Sequence, residues 1–352
     1  MRQRKLLLPP FHGEALRAYE ERITEIAMHE IARWPRGDAF AIRPRTQAIT
    51  LQVILEVIFG VRDADRRDQY SHVIDRLMKV ANFMGVNAKN QDESSKRSAA
   101  HWIRPRRDAV DKLIYEDLHR RRADPAADGN DILSMLLAAR DEDGRPMTDS
   151  ELRDELVTLL FAGHETTATA LAWATDLLVW NPAVMARATL AAREGDDVYL
   201  DALVNETLRI RPVVWSTGRV TQEPMQIGEW VVPKGTRLWS PMTVLAADGK
   251  IYDDPDEFKP ERFVDVPPPP YAWIPFGGGI RRCIGASFAA LEMRIVLREM
   301  LLAGSFASAG RRPERSRLRN VTLAPARGTR VRFTPAQAAS APPREALEPT
   351  HS

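Results

Sequence analysis

Apolar residues recur at helical spacing along most of this chain. In EALRAYEERITEIAMHEIARW, residues 14–34, Leu16, Tyr19, Ile23, Ile26 and Ile31 share a face before Pro35, which predicts one amphipathic helix. The run RTQAITLQVILEVIFG, 45–60, predicts a second helix closing on Gly60, and 63–85 continues in the same style to Gly85. Charged QDESSKR, 91–97, reads as a surface loop. Residues 98–124 are again helical in pattern, although Pro105 argues for a boundary or kink near the start, and a short helix at 131–140 follows the DPAADGN linker.

Thr148 with Glu151 forms a capping box before about thirty residues of helix, ELRDELVTLLFAGHETTATALAWATDLLVW, long enough to cross a whole domain. Two further helices lie at 182–195 and 200–210. The texture then changes. GRVTQE, MQIGEWVV and TRLWSP are short strand candidates with PKG as a turn, residues 252–275 are proline-rich and irregular, 284–304 returns to helix, and RNVTLAPARGTRVRF suggests a final hairpin. The reading is a mainly α protein with a minor β-sheet, without repeats and without strict βα alternation. From about Ala336 the composition reads as a disordered tail.

The 352 residues carry 50 Lys+Arg against 48 Asp+Glu, so the net charge of +2 gives no electrostatic case for nucleic-acid binding. No apolar run is long enough for a membrane anchor, and the start lacks a secretory signal, so the chain reads as soluble and cytoplasmic. Arginine far outnumbers lysine, a compositional hint of bacterial origin. The single cysteine excludes an internal disulfide and any C-x-x-C redox or zinc arrangement.

That cysteine lies in FGGGIRRCIG, residues 276–285. A lone cysteine is most often a small buried hydrophobe. Here it precedes a helical pattern, whose free N–H groups and positive dipole end favour thiolate, a state suited to a metal ligand or a nucleophile. No local base supports a nucleophile, and no G-x-x-x-x-G-K-[ST] supports a phosphate loop. A cysteine thiolate can ligate haem iron, and glycines would give a flat macrocycle room over the loop.

Phe276, Gly279, Arg281, Cys283 and Gly285 fit F-x-x-G-x-R-x-C-x-G, and the chain resembles the cytochrome P-450 family. The resemblance implies haem b (iron protoporphyrin IX), with Cys283 as axial thiolate, Phe276 packed by the cysteine loop and Arg281 on a propionate. FAGHETTATA resembles the family's [AG]-G-x-[DE]-T segment, which implies Ala162 and Gly163 facing haem and Glu165 with Thr166 as the acid and alcohol serving oxygen activation. Glu206 and Arg209 in NETLR, with Arg262 in PERF, resemble a buried Glu–Arg–Arg network of structural role. Spacing alone makes Glu206 and Arg209 an ordinary surface pair. Arg219 matches a second propionate contact, and Arg4 matches the arginine of an H-x-x-x-R pair that binds a propionate. Thr167, Val213, Val214, Trp215, Val321, Thr322 and Leu323 fall where the family lines its substrate pocket, though core packing explains each of them equally well.

The resemblance spans residues 1–335 as one haem domain but begins inside the family pattern. Roughly a hundred residues would precede it, within the size of one large domain. Two strands and a substrate loop are therefore expected to be lacking, leaving unpaired edges near 213–219 and 236–240. The implied activity is haem-thiolate monooxygenation of an apolar small molecule by dioxygen. Electrons would come from a ferredoxin with its reductase or a flavoprotein, since no dinucleotide fingerprint or cluster cysteines occur. Arg281, Arg282, Arg294 and Arg298 would form a basic face for that donor. A haem-thiolate peroxygenase or isomerase, or a non-catalytic haem-binding remnant, are the alternatives.

Overall fold

The computed structural model describes residues 2–84, 99–124, 129–319 and 321–336. The surface loop expected at 91–97 and the tail expected from 337 onward lie outside the described residues.

A short α1 (Arg2–Leu7) leads to α2 (Glu14–Ala32), whose apolar face carries Tyr19, Ile23, Ile26 and Ile31 into the core, as the spacing predicts. After strand β1 (Ala39–Ala41) comes α3 (Ile42–Val53), which starts three residues earlier than the apolar pattern suggests, because Pro44 is tolerated in a first turn. It does not run on to Gly60 as α-helix. Residues Ile54–Ile58 form a π-helical turn, closed by the Phe59 N–H on the Ile54 carbonyl at 3.0 Å. Helices α4 (Ala64–Met84) and α5 (Ala99–Ala123) pack on each other. Pro105 sits inside α5 without ending it, within its first two turns, where one intrahelical bond is forfeited. Helix α6 (Ile132–Ala138) is capped by Asp131, which accepts from the Ser134 N–H at 2.9 Å.

The central element is α7 (Asp149–Trp180), whose 32 residues span roughly 48 Å. Its capping box is formed as expected: Thr148 Oγ1 accepts from the Glu151 N–H, and the Glu151 carboxylate accepts from the Thr148 N–H. Every residue from Thr167 to Leu178 is buried, so this stretch has no solvent face and is enclosed by neighbours on all sides. Those neighbours include α3, α5, α8 (Pro182–Glu194) and α9 (Asp197–Ile210). The mid-helix threonines and glycine do not break α7. The helical irregularity lies across the interface instead, in the π turn, where Ile54 Cδ1 comes within 3.3 Å of the place a Gly163 side chain would begin. Thr46 and Thr50 of α3 bond the Ala168 and His164 carbonyls of α7, each at 2.9 Å.

The β content is small and late. β2 (Ser216–Val220) pairs antiparallel with β5 (Arg237–Pro241), and β3 (Met225–Ile227) with β4 (Trp230–Val232). Among the described residues β2 and β5 have no further strand partner, and Val220 and Trp239 are exposed, in keeping with the expected unpaired edges. A short α10 (Met242–Ala246) precedes the irregular proline-rich segment, and α11 (Ala286–Ala303) packs along α2, α7, α8 and α9. Strand β6 (Gly304–Ser308) follows it. The last strands correct the expected hairpin. β8 (Thr322–Pro325) pairs back with β7 (Ser316–Arg319), whereas β9 (Arg330–Pro335) joins β1 and β6 in a separate three-stranded sheet. Gly328, at φ +76°, and the Pro325–Gly328 turn send the chain from one sheet to the other.

Candidate active site

Sequence dictates a tight loop at 276–285. Gly277 and Gly279 adopt φ of +70° and +65°, the left-handed region that glycine enters without strain. The turn returns Cys283 to Phe276, whose carbonyl accepts from the Cys283 N–H at 2.9 Å. Phe276 is fixed edge-on to Trp273, with ring centroids 5.9 Å apart. Helix α11 starts directly after, with Gly285 as its cap residue and the Gly285 N–H aimed at the sulfur. Burial pushes the Cys283 thiol above its ordinary pKa, and the Gly285 N–H, Arg282 and Arg4 oppose this without reversing it. Cys283 is nonetheless exposed on the cavity wall, so this desolvation is partial, and a cation at the sulfur would favour the thiolate.

Cys283 lines a cavity of about 800 Å³, within the range of small-molecule sites. Ala162, Gly163, Glu165, Thr166, Thr167, Val213, Val214, Arg219, Phe276, Arg281, Gly285, Val321 and Thr322 all border it, so most of the residues singled out by sequence converge on one space. Trp215 and Leu323 are not among its lining residues. Trp215 stacks on Trp239, with planes 7° apart and centroids 5.9 Å apart. Leu323 borders a separate small pocket beside Trp173 and Arg211, because strand alternation turns it away from Thr322. Gly279 lies in the exposed turn, and Arg4 reaches the loop from outside the cavity, donating from Nη2 to the Arg282 carbonyl at 2.8 Å.

These residues fit haem. A thiol stands on the wall beside glycine backbone, the rest of the lining is largely apolar, and Arg219 and Arg281 border the space without an ion pair among the described residues. No three His, Cys, Asp or Glu side chains come together as a metal cage among the described residues, and Cys283 is the thiol on the cavity wall.

On α7, Thr166 Oγ1 donates back to the Ala162 carbonyl four residues earlier. Glu165 is 6% exposed and accepts from Arg43 Nη2 at 2.8 Å. Arg43, with Arg319 and the apolar Phe11, Ile58, Met78 and Phe161, is what sequence reasoning missed. Arg43 stands 122 residues from Glu165, and only the antiparallel packing of α3 on α7 joins them.

The network of Glu206, Arg209 and Arg262 is buried rather than a surface pair. Arg209 donates to both Glu206 oxygens at 2.7 and 2.8 Å, Arg262 Nε donates to Oε1 at 3.1 Å, and the Lys259 N–H adds a bond at 3.0 Å. The Arg209 side chain also holds the Ala246, Pro255 and Glu257 carbonyls, tying α9 to the irregular segment before the cysteine loop.

The expected basic face is half formed. Arg294 pairs with Asp197 at 2.6 Å, and Arg298 is engaged by Glu299 at 3.2 Å and Asp197 at 3.7 Å, because α11 packs on acidic α9. Arg281 and Arg282 remain exposed without ion pairs among the described residues. No helix among the described residues is long and apolar enough to cross a membrane.

The family model "Cytochrome P450" matches residues 1–331. "Putative cytochrome P450 135B1" of Mycobacterium bovis is 42% identical over 339 residues, which are 94% of this chain and 71% of that protein. "Putative cytochrome P450 137" of Mycobacterium tuberculosis is 40% identical over 345 residues, covering 96% of this chain and 71% of that one. Among solved structures, the "cytochrome P450DA heme domain" superposes with a TM-score of 0.84 at 23% identity, over 95% of this chain and 77% of that chain, a likeness of fold.

Proposed function

Because the chain belongs to the cytochrome P-450 family, we propose that it is a haem-thiolate monooxygenase of bacterial origin that inserts one atom of dioxygen into an apolar organic substrate. The observation that carries this reading is that Cys283, Glu165 and Thr166 border one cavity. Cys283 would ligate the iron of haem b, Phe276 and the loop glycines would support the macrocycle, and Arg219 and Arg281 would face its propionates, with Arg4 bracing the loop through Arg282. When bound, haem with its thiolate ligand supplies oxygen activation. The chain's own part is to bring protons and exclude water. Glu165 holds a buried carboxylate and Thr166 a hydroxyl that can swing from the Ala162 carbonyl into the cavity, so the pair can pass protons inward from solvent.

Electrons would come from a separate ferredoxin or flavoprotein, docking where Arg281 and Arg282 are exposed. Peroxide-driven or isomerase chemistry needs no such proton relay, and the presence of Glu165 with Thr166 favours the monooxygenase. The test is the reduced, carbon monoxide-bound spectrum of the full chain. A red-shifted thiolate band that disappears in Cys283→Ala is expected, and failure of the unaltered chain to retain haem would overturn the reading.

A further inference from the structure

One charge in the cavity wall is unused by the reading above. Arg319 closes β7 at the tip of the β7–β8 hairpin and lies in register with Thr322, whose Oγ1 donates to the Arg319 carbonyl at 3.0 Å. The hairpin is pinned to the chain after α9 by the Val214–Thr322 bridge and by the Leu323 N–H on the Val213 carbonyl at 2.7 Å. The residue therefore stands on a fixed support and borders the cavity. Its Nε is shut off from solvent and bonds nothing among the described residues, and its guanidinium is in no ion pair there. A donor in that state costs stability unless something answers it.

The neighbouring charges do not answer it. Glu165 is already paired with Arg43. Burial lowers the pKa of Arg43, Glu165 opposes this, and Arg319 lowers it further, so the two cations stand within electrostatic reach of each other. Much of the remaining wall is aliphatic or aromatic, with Ile58, Met78, Val157, Leu159 and Phe161 able to take a hydrocarbon body.

We propose that Arg319 is a specificity residue that anchors a carboxylate carried by an otherwise apolar substrate. The inference deepens the monooxygenase reading and rests on it for the reaction, though not for the binding. An oxyanion in the cavity beside the Arg319 guanidinium would restore charge balance with Arg43 and Glu165, while the tail lies along the apolar wall toward Cys283. The planar fork of a guanidinium suits a two-oxygen acceptor.

The probes are dodecanoate and methyl dodecanoate, titrated calorimetrically into the haem-loaded full chain and into its Arg319→Ala and Arg319→Lys variants, with haem content measured in parallel. The unaltered chain should bind the acid at least roughly tenfold more tightly than the ester, as expected for a charged hydrogen bond. Arg319→Ala should lose that preference while keeping its ester affinity and its haem, and Arg319→Lys should keep part of the preference. Equal binding of acid and ester by the unaltered chain, or an unchanged preference in Arg319→Ala, would overturn the proposal. So would loss of haem from Arg319→Ala, which would make Arg319 a propionate ligand. An absent thiolate band with an intact acid preference would instead sink the monooxygenase reading and leave the anchor standing.

Discussion

Arg43 and Glu165 meet across the α3–α7 interface, Nη2 to Oε1 at 2.8 Å, with side chains only 10% and 8% exposed. The acid assigned to proton delivery is thus held by a cation from another helix, so its position depends on packing outside its own motif.

Separating the two roles of Glu165 is straightforward. Glu165→Gln keeps the shape and a hydrogen-bond acceptor but removes the acid, and should lower substrate turnover by about 100-fold. Arg43→Met should leave a buried carboxylate without its cation and cost on the order of 3 kcal/mol in urea melts. The double variant should recover much of that loss, and strictly additive losses would mean that the pair is not coupled.

Glu206 is fully buried and answers two arginines and a backbone N–H. Glu206→Ala should cost about 3–5 kcal/mol, seen as a shifted denaturation midpoint or loss of folded protein, because Arg209 and Arg262 would keep their charges without a counterion. Glu206→Gln should fall between the two. Full stability in the alanine variant would deny the network its structural role.

Glu292 in α11 is 2% exposed, its Oε1 has no hydrogen-bond partner among the described residues, and burial raises its pKa to about 8. Its folded value thus exceeds its unfolded one, so the folded state keeps a proton that the unfolded chain loses above roughly pH 4. Stability should fall as pH rises from there to about 8. Glu292→Gln should match the unaltered chain near pH 4, exceed it increasingly toward pH 8, and plateau beyond. Parallel pH profiles for the two proteins would contradict this.

The legible parts of this molecule are local ones. The helix faces of α2 and the capping box of α7 follow from spacing within a few residues, and the cysteine loop from glycines whose left-handed backbone the motif demands. What sequence could not reach depends on contacts made far along the chain. Arg43 and Arg319 look like solvated arginines until folding buries the first against Glu165 and sets the second, half-buried, on the cavity wall. RNVTLAPARGTRVRF reads as two strands with a turn, yet its partners lie elsewhere, in β7 on one side and in β1 and β6 on the other. Spacing likewise predicts a surface pair for Glu206 and Arg209, and tertiary enclosure overrides it.

The π turn at Ile54–Ile58 carries one residue more than an α-helical turn would hold. Deleting a single residue there would restore regular winding and would also rotate everything after it by roughly 100° about the helix axis. Phe59 would leave its packing against Tyr70, and the Phe59 and Gly60 carbonyls would turn from the Arg121 guanidinium. Chain length at this point is therefore fixed more tightly than side-chain identity: a substitution alters one contact, whereas a one-codon gap would uncouple α3 from the segment that follows it.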